Sequence, residues 1–325
     1  MSNNNNERYI IKQPWYKRYA RIGSTLLSLV ALCIFFSFAT PDFLNVFNLM
    51  SVVRACSVTI IMTMGMLIVI LTGGIDLSVG PVIAVVGVML ATMLVNGVHP
   101  ALAVIISILL GCAMGLINGF LVSKFKLQAF LVTLATQTAF RGFSLLYTQG
   151  RPVAGVPSNY TSVVGGKIGG SFPVPILIMI VAVVVFGLVV KYCKVGVYAY
   201  AIGSNEEAAR LSGINVTLYK MSIYVVAGFM YALAAITMIG RLGAAEPTAA
   251  AGFELDAIAA CAIGGASLAG GKGSVAGAVI GALIMQVLTN GMTLMNVQSY
   301  YQQIVTGIVI VIAILIDRFT NRDTK

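Results

Sequence analysis

Charge is scarce in this chain, and the scarcity excludes a soluble protein. Asp, Glu, Lys and Arg make up 9% of the 325 residues, whereas 59% are hydrophobic and the mean hydropathy is +0.97. Soluble globular domains carry about 25% charged residues. A span of about 20 apolar residues crosses the roughly 30 Å hydrocarbon core of a bilayer, and a central charge there is costly. The composition therefore predicts a polytopic membrane protein.

Histidine is nearly absent, and cysteine is sparse and scattered. His99 is the one histidine, and its Gly-Val-His-Pro surroundings favour a loop. The five cysteines show no clustered spacing, which argues against a disulfide framework or a metal site. The sequence offers no Ser/His, Asp/Asp or His-metal arrangement, which argues against an intramembrane enzyme. We therefore expect no catalytic residue, no metal and no cofactor in this chain.

The sequence also lacks a complete nucleotide-binding loop. Gly271-Lys272-Gly273 resembles part of a Walker A motif. That motif needs a glycine five residues before its second glycine, and a serine or threonine after its lysine. Residue 266 is alanine and residue 273 is glycine. We therefore expect that the chain does not hydrolyse ATP itself.

Long stretches without charge predict an all-α fold of about ten transmembrane helices. Two of the stretches, Leu77–Ser123 and Gly273–Ile316, are long enough for two spans each. The predicted spans are residues 22–40, 55–72, 81–97, 101–123, 128–148, 173–191, 218–240, 256–270, 274–294 and 301–317.

The net charge of +10 is explained by the positive-inside rule, under which Lys and Arg gather at the cytoplasmic ends of the spans. It does not indicate a nucleic-acid partner. Basic residues gather at both ends of the chain, and an even number of spans then places both termini in the cytoplasm. We predict cytoplasmic tails over residues 1–21 and 318–325 around a transmembrane domain over residues 22–317. The expected location is the inner membrane, with lipid as the surrounding partner. Four basic residues fall in predicted outer segments and run against the rule: Arg54, Arg151, Lys167 and Arg241.

A polar island interrupts the apolar sequence at Gly203–Gly213. Ser204 or Asn205 can cap a short helix, two glutamates suit its first turn, and Gly213 suits its end. We interpret the segment from about residue 196 to 216 as a cytoplasmic coupling helix that another protein holds. The alternative is a short amphipathic helix on the membrane surface.

Two glycine-rich segments occupy corresponding places in a weak internal repeat. Gly73–Gly80 and Gly264–Gly273 each precede an apolar span that ends in Asn-Gly. Such interruptions in two halves of a transporter point to helix breaks near a translocation path, whereas the alternative is two ordinary turns. The span count places both segments on the same side of the membrane. Small residues at every fourth position favour close helix packing, either within the chain or between subunits; they are Gly111, Gly115, Gly119, Gly273, Gly277 and Gly281.

Asp76 is an acidic residue between two apolar spans. An intramembrane acid is a functional hypothesis by default. Asp76 either lines the path, caps the helix that follows, or pairs with a basic residue such as Arg141. Ser78 and Pro81 also favour a helix start at this point.

Together these motifs resemble those of the carbohydrate ABC importer permeases, and within that family the ribose-type permeases. The resemblance covers about residues 20–317. In the coupling motif, Glu207-Ala-Ala and Gly213 match, but Val225-Val226 stand where the general motif has Leu-Pro. The resemblance rests on Ile70–Gly80, Leu211–Val216, Glu254–Ala260, Ser267–Gly273 and Ser299–Gln302.

The resemblance implies the partners and the mechanism. Two permease copies form the pore, a tandem-domain ABC ATPase docks on the cytoplasmic side, and a periplasmic sugar-binding protein delivers the substrate. ATP is hydrolysed on the ATPase subunit and not on this chain. Ribose is the implied substrate, although allose, xylose, arabinose and galactose permeases share much of the pattern. The residues implied in ATPase coupling are Asn205, Glu206, Glu207, Ala208, Ala209, Arg210 and Gly213.

A sugar path needs weakly polar side chains, because hydroxyls need hydrogen-bond partners and tight binding would slow release. The candidate path residues are Asp76, Ser78, Asn118, Gln137, Thr138, Gln286 and Asn290. An ion-coupled secondary sugar transporter is the alternative. That class usually needs several intramembrane acids or histidines, and the predicted spans offer little beyond Asp76.

Overall fold

Helices form most of the described chain. The computed structural model describes the backbone of residues 15–320 and the side chains of residues 23–315. The helices are α1 Trp15–Ala39, α2 Val46–Ile70, α3 Val79–Val95, α4 Pro100–Lys124, α5 Ala129–Thr148, α6 Ser158–Val164, α7 Val174–Tyr192, α8 Lys194–Ser204, α9 Glu206–Leu211, α10 Val216–Leu242, α11 Phe253–Ile263, α12 Val275–Leu294 and α13 Ser299–Thr320. The four short strands are β1 Val153–Ala154, β2 Lys167–Ile168, β3 Phe172–Pro173 and β4 Ala244–Ala245.

The predicted cytoplasmic tails fall largely outside the described residues. Residues 1–14 and 321–325 are not described, and α1 begins at Trp15, inside the predicted N-terminal tail.

Within the described residues, six helices are long and apolar enough to cross a membrane: α2, α4, α5, α7, α10 and α12. Shorter apolar stretches lie in α1, α3 and α13. The predicted span 256–270 differs from the structure, because α11 ends at Ile263 after 11 residues. At 1.5 Å per residue this helix is roughly 16 Å long, about half of the hydrocarbon core. The structure therefore supports a multi-pass helical membrane protein and does not confirm ten spans.

Helices α2 and α10 form the centre of the molecule. The most apolar windows of these two helices are 83% and 78% buried, against 28% for α4 and 22% for each of α5 and α7. The buried core between them includes Ile61, Met64, Tyr224 and Tyr231. The peripheral helices instead expose large apolar side chains, which suits contact with lipid.

The glycine faces predicted from the sequence pack inside the chain. A Cβ at Gly111, Gly115 or Gly119 of α4 would clash with α10, chiefly with the backbone near Tyr224 and Gly228. A Cβ at Gly277 or Gly281 of α12 would clash with the backbone at the end of α11, whereas Gly273 precedes α12 and a Cβ there would meet the Leu71 side chain. Of the two predicted roles for these faces, the structure shows intrachain packing, because small residues let the helix backbones approach closely.

The two ends of the molecule differ. Helices α8 and α9 lie at one end, which we name the coupling end. The connection between α5 and α7 lies at the opposite end, which we name the far end, where β1 pairs with β4 and β2 pairs with β3. The Tyr160 hydroxyl of α6 donates to the Ile236 carbonyl oxygen at 2.8 Å and so holds this connection on α10. Burial raises the pKa of the Tyr160 hydroxyl above its usual value, because the phenolate would lose its hydration.

Candidate functional site

Helix α9 begins and ends as the sequence predicts. The Asn205 side-chain oxygen accepts a hydrogen bond from the Ala208 amide at 2.9 Å, which satisfies a free amide of the first turn. Gly213 adopts a φ of +82°, beyond the C-cap Ser212. That left-handed conformation favours glycine and turns the chain from α9 into α10.

The charged residues of α9 divide into an inward and an outward set. Glu206 accepts from Lys220 of α10 at 2.6 Å and from Arg210 at 3.3 Å, so it ties α9 to α10. Glu207 reaches only Arg210, at 3.6 Å, and its side chain is 68% exposed. Ala209 is buried in a small cluster with Ile202 and Val216.

The outward face of α9 is therefore available to a partner. Leu211 is 82% exposed beside the exposed Glu207. Beside α9, a groove of about 140 Å³ runs between the α4–α5 connection and α10, with Lys126, Glu206, Arg210 and Lys220 in its walls. The arrangement presents an apolar residue with mixed charges at the coupling end.

Three backbone segments meet directly beside α9, and we name this contact the glycine junction. It consists of Leu71–Gly73, Gly203–Ser204 and Gly270–Gly271. The Gly271 amide donates to the Leu71 carbonyl oxygen at 2.9 Å. A Cβ at Gly203 would clash with that same carbonyl oxygen and would lie 2.6 Å from the Gly271 nitrogen.

The remaining contacts of the glycine junction are equally close. A Cβ at Gly270 would lie 2.7 Å from the Gly73 nitrogen and 2.9 Å from the Gly203 oxygen. The Tyr200 hydroxyl donates to the Gly273 carbonyl oxygen at 3.0 Å. The two glycine-rich segments thus meet at Gly73 and Gly270, on one side of the molecule as the span count predicts, and the second segment also contacts α8.

Asp76 forms a buried polar cluster with Ser78 and Asn118, each at most 1% exposed. Asp76 Oδ1 accepts from the Ser78 amide at 2.9 Å and from the Ser78 hydroxyl at 2.6 Å. The Asn118 amide donates to the Ser78 hydroxyl oxygen at 2.8 Å, which joins the start of α3 to α4.

Two sequence-based hypotheses for Asp76 differ from this geometry. Ser78 is the N-cap of α3 and makes no side-chain capping bond, and Asp76 instead folds back on the turn before the helix. Arg141 does not pair with Asp76, because its guanidinium donates to two backbone carbonyl oxygens, of Pro247 at 2.7 Å and of Ala249 at 2.9 Å. The cluster therefore shapes the entry into α3.

Helix α5 holds the segment between β4 and α11, together with the first turn of α11, through the side chains of Gln137, Arg141 and Ser144. Besides the bonds from Arg141, the Ser144 hydroxyl donates to the Pro247 oxygen at 3.1 Å, and Gln137 donates to Glu254 at 3.2 Å. We name these contacts the α5 clamp. Glu254 is 8% exposed and lies next to Gly80, at the start of α3. The segment 246–254 therefore enters the interior of the helix bundle, where backbone outside a helix needs such partners.

A cavity of about 210 Å³ lies toward the far end, between α2, α10, α11 and α12. Its polar lining includes a carboxylate from Asp256, a guanidinium from Arg241 and an amide from Gln286. The Thr59 hydroxyl donates to the Gln286 side-chain oxygen at 3.1 Å. The remaining lining residues are Ala55, Val58, Met238, Phe253, Met285 and Thr289.

The seven candidate path residues do not form one site. Asp76, Ser78 and Asn118 form the buried cluster, and Gln137 belongs to the α5 clamp. Thr138 lies on an exposed face of α5, where its hydroxyl donates to the Leu134 carbonyl oxygen at 3.2 Å. Of the seven, only Gln286 lines the cavity, and Asn290 lies one turn further along α12 and exchanges hydrogen bonds with Asn48.

The sequence reasoning missed four polar residues of the cavity, namely Thr59, Arg241, Asp256 and Thr289. Arg241 and Asp256 do carry a signal, since each is a charge next to a predicted span. Among the described residues, no group of three or more His, Cys, Asp or Glu side chains could hold a metal ion.

The chain matches one protein family over residues 48–314, described as the permease component of the branched-chain amino acid transport system. The chain belongs to this permease family. The match covers most of α2 and α13 and all helices between them, including α9, the glycine junction and the lining of the cavity. The chain is thus a membrane transport subunit rather than an enzyme.

Relatives in the family include three sugar permeases that match nearly end to end. The ribose import permease protein RbsC of Bacillus subtilis (strain 168) is 45% identical over 295 residues, which cover 90% of this chain and 91% of that protein. RbsC of Haemophilus influenzae is 42% identical over 299 residues, which cover 91% of this chain and 92% of that protein. The D-allose transport system permease protein AlsC of Escherichia coli (strain K12) is 35% identical and covers 93% of each. No solved structure matches the chain.

These matches confirm the resemblance to carbohydrate importer permeases that the motifs indicate. The ribose permeases are more similar to the chain than the allose permease, at 42–45% identity against 35%.

Proposed function

We propose that this chain is the membrane-spanning subunit of an ABC importer that carries ribose into the cell. The observation that carries the proposal is the 45% identity to a ribose import permease over 90% of the chain. The multi-pass helical fold supports it, because an importer subunit must surround a polar path with apolar outer helices. ATP hydrolysis then belongs to a partner ATPase, and delivery of the sugar belongs to a binding protein outside the cell.

The coupling end is the surface on which the ATPase docks, and it faces the cytoplasm. Helix α9 presents Glu207 and Leu211 outward, while Glu206 holds the helix on α10. A tandem-domain ATPase that binds α9 differently with and without ATP would shift the permease between two conformations, since coupling needs only such a difference in affinity.

The cavity at the far end is the part of the sugar path that this subunit builds. Its carboxylate, guanidinium and amide groups are planar hydrogen-bonding groups, which suit the hydroxyl groups of a sugar. Phe253 and two methionines supply an apolar wall for the C–H faces of the ring. Asp76, Ser78 and Asn118 support the path by fixing α3, rather than by contacting the sugar.

Uptake of radiolabelled ribose into proteoliposomes tests the proposal. The vesicles contain the permease and its ATPase, with ATP inside and the ribose-binding protein outside. We expect uptake that stops without ATP and survives a proton ionophore. Uptake that continues without ATP but stops with the ionophore would indicate an ion-coupled transporter. ATP-dependent uptake of allose with an allose-binding protein outside, and no uptake of ribose with the ribose-binding protein, would retain the importer and overturn ribose as its substrate.

A further inference from the structure

The glycine junction connects the ATPase-docking helix to every helix that lines the cavity. Helix α2 ends at Ile70, directly before the junction, and α12 begins at Val275, four residues after Gly271. Helix α11 leads into the junction through residues 264–270. Helix α10 begins at Val216, five residues after the end of α9. The four walls of the cavity are thus held at the coupling end by α8, α9 and the junction.

We propose that Gly203, Gly270 and Gly271 are positioning residues for transport. They transmit the movement of α9 as a rigid backbone contact to α2 and α12, and so open and close the far-end cavity. The inference rests on the proposed import function, because it assigns how ATPase docking reaches the sugar path. The glycine-rich segments then act as a mechanical joint and do not contact the sugar.

The first argument is the stiffness of the contact. Side chains can change rotamer and absorb a small movement, whereas two backbones in direct contact cannot. At the junction the backbone of Gly203 lies directly against Leu71 and Gly271, and the Gly271–Leu71 hydrogen bond at 2.9 Å joins the other two segments. A displacement of Gly203 therefore moves Leu71 and Gly271 together.

The second argument is the distance between the junction and the cavity along α2 and α12. Thr59 lies twelve residues before Leu71, roughly 18 Å along the axis of α2 at 1.5 Å per residue. Gln286 lies eleven residues after Val275, roughly 17 Å along α12. The two residues are joined by a hydrogen bond of 3.1 Å across the cavity wall. A change of tilt at the junction therefore changes the spacing between Thr59 and Gln286.

The third argument is the fit of the junction to glycine. Any side chain at residue 203 must push the Leu71 carbonyl away, and Gly270 and Gly271 have φ values of +91° and +72°. Gly187 of α7 has no such neighbour, since no atom lies within 4 Å of a Cβ placed there. The chain thus contains a matched control for a substitution of glycine by alanine.

The test uses the complete transporter in proteoliposomes, with the stimulation of ATP hydrolysis by ribose-loaded binding protein as the readout. We expect Gly203→Ala to retain the bound ATPase and its basal hydrolysis, and to lose about 5- to 150-fold in stimulation, the range of ordinary allosteric coupling. Gly187→Ala should behave as wild type. Normal stimulation in Gly203→Ala would overturn the proposal.

A milder variant covers the case in which Gly203→Ala fails to assemble. Tyr200→Phe removes the hydrogen bond to the Gly273 carbonyl at 3.0 Å and retains the ring. We expect it to assemble and to show reduced stimulation with unchanged basal hydrolysis. If Gly203→Ala does not assemble and Tyr200→Phe couples normally, the junction is only structural and the proposal fails. If allose stimulates the wild-type complex in place of ribose, the assigned substrate is wrong, and the same variants test the junction with allose.

Discussion

At the scale of single residues, the neighbouring Glu206 and Glu207 of α9 have different roles. Glu206 is half-buried between Lys220 and Arg210, whereas Glu207 points outward and makes one long contact. Exposed ion pairs contribute about 0.2–1 kcal/mol to stability, so Glu207 adds little to the fold. Its position suits recognition by a partner rather than stability.

We therefore expect Glu207→Arg to insert and fold normally but to lose most ribose uptake. The reversed charge alters the docking surface without breaking the Glu206–Lys220 contact. The measurement is ATP-driven ribose uptake together with the amount of co-purified ATPase. Asp42→Arg is the control, since Asp42 is also exposed but precedes α2. Full uptake in the Glu207 variant would contradict the assigned docking role.

Gln286 is the candidate path residue whose position best suits contact with a sugar. In Gln286→Ala the cavity loses an amide, and Thr59 loses its acceptor at 3.1 Å. A lost hydrogen bond to an uncharged group costs about 0.5–1.5 kcal/mol, which corresponds to a roughly two- to twelvefold lower rate of uptake. Initial rates of ribose uptake measure the effect, with the exposed Gln298→Ala as control. Equal rates in both variants would remove Gln286 from the path.

Residue patterns predicted the local chemistry better than the contacts between distant residues. The cap at Asn205 and the end of α9 near Gly213 depend on residues close together in the chain. The sequence was therefore sufficient to predict both ends of this helix. The partners of Arg141 lie more than 100 residues away in the chain, at Pro247 and Ala249. No local pattern links them, so the sequence could not decide against the alternative in which Asp76 pairs with Arg141.

At the scale of elements, the short helix α11 and the α5 clamp show why a count of apolar stretches is insufficient. Residues 257–271 are free of charge, as a complete span would be. The helix nevertheless ends at Ile263, because Gly264 and Gly265 lead into the glycine junction. Hydropathy shows that a segment is apolar enough to lie in the membrane. It does not show at which depth in the membrane its helix begins and ends.

The α5 clamp should stabilise this irregular segment. In Arg141→Met the Pro247 oxygen keeps the Ser144 hydroxyl, but the Ala249 oxygen loses the Arg141 bond. An unsatisfied buried acceptor costs about 1–3 kcal/mol. We therefore expect a lower midpoint of thermal unfolding in detergent, with a smaller decrease for Ser144→Ala. The exposed Arg151→Met serves as control, and an unchanged midpoint in Arg141→Met would show that the clamp contributes nothing.

At the scale of the whole molecule, we expect a second copy of the permease to complete the sugar path. The cavity occupies only the far half of the helix bundle. The family resemblance implies that two permease copies form the pore. We expect those copies to be identical and to share one tandem-domain ATPase assembly.

The mass of the complex purified gently from its membrane tests this expectation. Tagged and untagged copies of the permease should co-purify with each other and with a two-site ATPase. The Glu207→Arg variant should retain the permease pair and lose ATPase. A tagged permease that never recovers the untagged copy would exclude the homodimer.

The α5 clamp also bears on how the protein is made. Arg141 is synthesised 106 residues before Pro247, the residue whose carbonyl accepts its hydrogen bond. At about 5–20 residues per second, the ribosome needs roughly 5–20 s to supply that carbonyl. During this interval α5 has the lowest hydropathy of the six candidate spans, 1.2, and holds an arginine without its final partners. An arginine at a helix centre opposes insertion by about 2.5–3.5 kcal/mol. The contacts that hold Arg141 in the finished bundle therefore form only after the second half of the chain has been made.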